Sequence, residues 1–188
     1  MPRAGLDRSS VIAAGADLAD EIGFAALSMG ALAQRVGVRT PSLYKHVENQ
    51  ADLNRAIATL ALTEAGEAMG AAIQGLAGRD ALAAAAHALR SFALEHPGRY
   101  AATVSFEPLS PDDPLALAAA EGLRPLRAVL QGYDVAPEQS THALRALRSM
   151  FHGFASIQST GGFRWADDVD DSFEWLIDLV DRGLRSQN

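Results

Sequence analysis

The chain of 188 residues contains no cysteine and only one lysine, Lys45, against fifteen arginines. Without cysteine there is no disulfide framework and no Cys-based zinc site, and the absence is compatible with a reducing cytosol. Aromatic residues make up only 6% of the chain. β-Branched residues are sparse, and no alternating strand pattern emerges. No run approaches the roughly 18 apolar residues of a membrane span; the longest near-apolar stretch, Ala81 to Leu89, is interrupted by His87. Asp17 and Asp20 break VIAAGADLAD, the one segment that could pass for a secretory core. The expectation is a cytoplasmic chain without membrane contact. Enzyme signatures are missing too, with no P-loop, G-x-G-x-x-G or G-x-S-x-G. His46, His87, His96, His142 and His152 lack the i, i+4 pairing of a helical zinc site. The acidic run Asp167, Asp168, Asp170 and Asp171 lacks the Gly and terminal Glu of a calcium loop and reads as helix capping. No catalytic residue, metal or cofactor is expected.

What is there is helix. Alanine and leucine dominate, and apolar positions recur at spacings of three and four. The fold class is all-α, with about nine helices. Asp7 or Ser9 opens the first, and Gly23 ends it. Ser28 caps a second, closed by Gly37. Thr40 caps a third, with Pro41 in its first turn, running to about His46. Asn49 or Asp52 caps a fourth towards Ile73. Further helices are expected over 82–95, 99–106, 114–131, 137–159 and 169–184. The three-proline stretch EPLSPDDP, from Glu107 to Pro114, is the clearest loop. The division expected is a head over residues 1–50 and a body over 51–188.

Charge is unevenly placed. Residues 1–50 hold five basic and five acidic groups, whereas residues 51–188 hold eleven basic and eighteen acidic ones, so the net charge of −7 lies in the body. A neutral head on an acidic body keeps any contact with a polyanion local to the head.

The segment from Leu27 to Leu53 carries the function. Two short helices separated by Gly37-Val38 satisfy a helix-turn-helix, with glycine free to take positive φ at the tight turn. Leu32, Val36, Val38 and Leu43 point to a core shared with the first helix. The second short helix then presents Arg39, Thr40, Ser42, Tyr44, Lys45 and His46, groups that reach base edges and phosphates in a major groove.

The pattern A-x-x-x-G-V-x-x-x-x-L-Y-x-H-V, at Ala33, Gly37, Val38, Leu43, Tyr44, His46 and Val47, resembles the TetR family of transcriptional regulators. The likeness covers about 50 N-terminal residues, from Leu6-Asp7-Arg8 to Asn49 and Leu53. It implies DNA contacts at Ser28, Met29, Arg39, Thr40, Pro41, Ser42, Tyr44, Lys45, His46 and Gln50. Gly30 and Gln50 depart from the Arg and Lys frequent at those places, which implies a shallow salt dependence. The run R-S-M-F-H-G-F, from Arg148 to Phe154, the turn Gly161-Gly162-Phe163 and the last helix resemble a TetR C-terminal subfamily named for a Trp-His-Gly feature, with Phe151 standing nearest to that Trp.

The last two long helices are apolar on more than one face. One face of the first carries Leu144, Leu147, Phe151 and Phe154, and another Ala143, Met150 and Ile157. The final helix carries Phe173, Leu176, Ile177, Val180 and Leu184, with Trp175 and Leu179 off that stripe. A homodimer through a four-helix bundle is expected, with Leu147, Phe151, Phe154, Phe173, Ile177 and Val180 at the interface. Phe92, Tyr100, Phe106 and Leu126 are expected to wall a pocket for a small-molecule effector. The function implied is a repressor that binds a pseudo-palindromic double-stranded operator and is released by that effector. The rival reading is an all-helical small-molecule-binding or protein-interaction module whose head does not bind DNA.

Overall fold

The computed structural model describes residues 6–186. Among them the helices follow the order α1 Arg8–Ile22, a 3₁₀ turn Phe24–Ala26, α2 Met29–Val36, α3 Thr40–Leu43, α4 Gln50–Ala72, α5 Gly78–Glu95, α6 Pro97–Ala102, α7 Pro114–Gly122, α8 Arg124–Gln131, α9 Pro137–Ser159 and α10 Val169–Arg185. Strands are absent among the described residues, as expected. One expected helix, 114–131, is divided into α7 and α8. The nitrogen of Pro125 cannot donate to the carbonyl four residues back, so the helical ladder stops and restarts around Leu123.

The chain forms two compact units. The first runs to Leu62 and takes in Glu95–Ala119. Asp7 opens α1 with a capping box, accepting from the Ser10 amide while the Ser10 hydroxyl accepts from the Asp7 amide. Val11, Ala16 and Ala19 are wholly buried on the face of α1 that meets the other helices. At Gly15 the absent side chain admits Ile57 and Leu53 of α4; a Cβ there would lie 3.1 and 3.3 Å from their Cδ1 atoms. Leu32, Leu43, Val47, Leu53 and Ile57 complete this core. Burying each such side chain contributes about 1.5–3 kcal/mol before entropy is counted.

This unit extends past the expected head of residues 1–50. α6 lies so close to α1 that a Cβ on Gly98 would overlap the Ala19 carbonyl. Asp20 accepts the Arg99 amide (2.8 Å) and meets His96 Nδ1 at 3.1 Å, while the Arg99 guanidinium pairs with Asp17 and Asp20. The loop before α7 is held similarly. Arg55 pairs with Asp113 and donates to the Glu107 carbonyl, and the Leu109 amide donates to Asp113.

The second unit comprises Thr63–Leu94 and Ala120 onwards. Its core joins Leu82, Ala85, Leu89 and Phe92 of α5 with Leu126, Val129 and Leu130 of α8, Leu147, Phe151 and Ala155 of α9, and Phe173, Ile177 and Leu184 of α10. Phe173 is its aromatic centre, with Phe154 and Phe151 at 4.8 and 6.1 Å between ring centroids. Bases on α5 face acids on α10, Arg79 on Glu174 and Asp178, His87 on Glu174, and Arg90 on Asp170. Arg90 is buried, lying over the rings of Phe154 and Phe173. Asp168 caps α10 by accepting from the Asp170 and Asp171 amides, which accounts for the acidic run. The Tyr133 hydroxyl donates to Asp181, which also accepts from Arg185. Burial first, and that bond second, push the Tyr133 hydroxyl well above its ordinary value.

Candidate nucleic-acid interface

α2 and α3 are joined by the turn expected of them. Gly37 sits at φ +71°, a left-handed conformation that glycine adopts without strain. The Val38 amide then donates back to the Ala33 carbonyl. The cap of α3 differs from expectation. Arg39 occupies the N-cap position without a side-chain bond, which leaves Thr40 and Pro41 inside the first turn. The Thr40 and Ser42 hydroxyls consequently have no partner among the described residues. α3 proper ends at Leu43, and a further turn follows, in which the His46 and Val47 amides donate to the Leu43 carbonyl. Leu43 and Val47 anchor this segment in the core. Arg39, Pro41, Tyr44 and Lys45 are exposed, Tyr44 by 51%, and Thr40, Ser42 and His46 are half-buried. Seven expected contact residues therefore occupy one short segment, and the polar side chains among them carry no bond to another described residue.

The other expected contacts fare differently. Ser28 is exposed but caps α2, its hydroxyl accepting from the Ala31 amide. Met29 is 6% exposed, a core side chain that cannot reach a ligand; it buries because α2 turns its first residue inwards beside Leu32. Gln50 is tied up inside the chain. Its Oε1 accepts from the Met29 amide at 2.8 Å, and its Nε2 donates to Asn54 Oδ1 at 2.7 Å. The Met29 and Gln50 side chains are thus engaged within the head.

Two framework residues were missed by sequence reasoning. Arg8 donates to both carboxylate oxygens of Asp52, at 2.7 and 2.8 Å, and to the His46 carbonyl at 2.8 Å. Asp52 also accepts the Glu48 amide, while Asn49 caps α4 by accepting the Asp52 amide. The carboxyl end of the recognition segment is so clamped to α1 and α4. Hydrogen bonds from Arg8, and then the Glu48 amide, hold Asp52 below the usual carboxylate range. The available signal was an acid beside a segment meant for a polyanion, a placement that needs an internal cation.

Pairing also sorts the cations. Arg8 is held by Asp52, and Arg35 by Glu21 through two bonds of 2.6 and 2.9 Å. Arg39 and Lys45 alone among the described head cations carry no ion pair, and both lie on the recognition segment. The positive charge left unpaired in the described head is accordingly concentrated on that segment.

A family model described as "Bacterial regulatory proteins, tetR family" matches residues 11–57, and one described as "Tetracyclin repressor-like, C-terminal domain" matches residues 82–180. An uncharacterized HTH-type transcriptional regulator of Mycobacterium tuberculosis is 36% identical over 166 residues, 88% of this chain and 74% of that protein. The chain belongs to the TetR family. It is a DNA-binding transcriptional regulator. Solved structures share the fold. A Rhodococcus protein of unknown function aligns with a TM-score of 0.82 at 22% identity, covering 98% of this chain and 99% of that one. A TetR variant of Acinetobacter baumannii, solved in complex with minocycline, aligns with a TM-score of 0.72 at 24% identity, covering 97% and 98%.

In this TetR-family chain the body residues expected at a dimer interface lie on α9 and α10. Leu147, Phe151, Phe173, Ile177 and Val180 are buried within the single chain, and Phe154 is half-buried against Phe163 and Phe173. The five buried ones belong to the core of the second unit. The other stripe is the one left open. Ile157, Trp175 and Leu179 are exposed, and Ala143, Met150 and Leu179 line a groove of about 460 Å³ between α9 and α10. The expected pocket walls are Phe92, Tyr100, Phe106 and Leu126. Phe92 and Leu126 are core in the second unit, whereas Tyr100 is core in the first, where Phe106 meets the edge of Phe24 at 6.1 Å. Gly153 on α9 has open space where a Cβ would be.

Proposed function

We propose that the protein is a repressor which binds a pseudo-palindromic operator as a homodimer and is released by a small-molecule effector. The observation that carries this reading is the recognition segment, where Arg39, Tyr44 and Lys45 stand exposed and unpaired around α3, between the Gly37 turn and the Arg8 clamp. A head that no longer bound DNA would have no use for cations left unneutralised there. Dimerisation is supported by the open stripe of α9 and α10. Trp175 lies one turn from Leu179 on the same side of α10, and 63% of its surface is exposed. An operator of two half-sites would require two recognition segments roughly 34 Å apart, one turn of DNA. An effector would act by favouring a dimer geometry that does not match the two half-sites. The minocycline complex of the Acinetobacter protein supports an effector role for the body. The site of action is the cytoplasm, where such an operator lies.

The test is a mobility-shift titration against the DNA upstream of the protein's own coding sequence, over a range of salt. A specific complex, weakened in Tyr44→Ala and in Lys45→Ala with dimerisation unchanged, is the expected result. Wild-type affinity in both variants would remove the recognition-segment assignment.

A further inference from the structure

Gln50 occupies a place where the family likeness suggests a phosphate-binding lysine, yet both ends of its amide are engaged within the head. The Met29 amide that it accepts is one of the free donors at the start of α2. Ser28 takes the Ala31 amide of the same turn. Helix α2 thus has two of its leading donors satisfied from inside the chain. The Met29 side chain is meanwhile packed in the core beside Leu32 and Leu43. The first residue of α2 is therefore fixed from two directions, by packing and by a bond from the first residue of α4. The Val38 amide, bonded to the Ala33 carbonyl, carries that position on to the recognition segment.

We propose that Gln50 is a positioning residue for base reading, a strut between α2 and α4 that sets the presentation of Thr40 to His46. The chemistry of the position is restrictive. The strut needs an acceptor for the Met29 amide and a donor for Asn54 on one side chain of this length. Lysine supplies no acceptor, and glutamate no donor. This inference rests on the DNA-binding reading and refines it.

The probes are a duplex selected by the wild-type protein from a random pool and a scrambled duplex of the same composition. Affinity for both is measured against salt, with the thermal midpoint recorded for each variant. Gln50→Leu and Gln50→Lys should lower the selected-to-scrambled affinity ratio roughly tenfold, as expected for a partly buried amide left without its acceptor. Gln50→Glu keeps the acceptor; it should retain most of the ratio while weakening binding to both duplexes. Thermal midpoints should stay near wild type. Three results would overturn the inference. One is a Gln50→Lys variant that binds both duplexes more tightly, with an unchanged ratio and a salt slope steeper by about 1.8 for two new phosphate contacts per dimer. Another is a Gln50→Leu ratio equal to wild type, whether or not its melting point falls. The third is a wild-type protein that selects no sequence at all, which removes the DNA-binding reading itself and is told apart from the others by that control.

Discussion

Asp7 and Asp52 act on the head through their ionised forms. Asp7 is held at about 2 by the Ser10 amide and then by the Ser10 and Ser9 hydroxyls, and Asp52 lies below its usual range because Arg8 grips it. A carboxyl depressed in the folded chain binds fewer protons folded than unfolded. Its contribution is therefore complete above about pH 4 and is lost as the pH falls through the folded value. Helicity followed on acidification should decline below about pH 4, and Asp7→Asn with Asp52→Asn should make that decline shallower. An acid transition unchanged in the double variant would refute the assignment. The Arg8–Asp52 pair is partly exposed, so its worth in stability is small, about 0.2–1 kcal/mol. Its effect on DNA should be larger, since it holds the His46 carbonyl and the Glu48 amide. Arg8→Ala, Asp52→Ala and the double variant should lose similar amounts of operator affinity, because each dismantles one clamp. Losses that simply add would mean that the two residues act apart.

At the scale of elements, the glycines separate tight approaches from open ones. Gly98→Ala must push α6 off α1, because the obstacle is the Ala19 backbone, and should cost about 1–3 kcal/mol in thermal unfolding. Gly66→Ala should also destabilise, its Cβ falling 2.7 Å from the Gly122 Cα. Gly153→Ala, in open space within α9, should instead stabilise by about 0.5–1 kcal/mol. A destabilised Gly153→Ala with a silent Gly98→Ala would reverse this account. Helix order, the caps at Asp7, Ser28 and Asp168, and the Gly37 turn were all legible in the sequence, because each rests on residues within a few positions of one another. The Gln50 strut, the Arg8 clamp and the Gly98 contact link residues 21, 44 and 79 positions apart, counting the last by its Asp20–Arg99 bond, and no local pattern encodes them. Helices with two apolar stripes posed another difficulty. Periodicity marks both stripes of α9 and α10 equally, and only packing reveals that Phe151 and Phe173 turn inwards while Trp175 turns out.

Over the whole molecule, charge sets how DNA binding responds to salt. The body carries the net charge of −7, and in the described head only Arg39 and Lys45 remain unpaired. Two such cations per subunit give four per dimer, so log affinity against log salt should fall with a slope of about −4 or shallower. A slope near −8, read from the same mobility-shift titration, would require phosphate contacts beyond Arg39 and Lys45. Lys45 being the sole lysine has a consequence for labelling chemistry. Apart from the chain terminus, an amine-directed reagent meets one side chain, and that side chain stands on the recognition segment. Acylation of that side chain would erase half of the unpaired positive charge of the described head in the same event, so labelling and loss of operator binding should advance together.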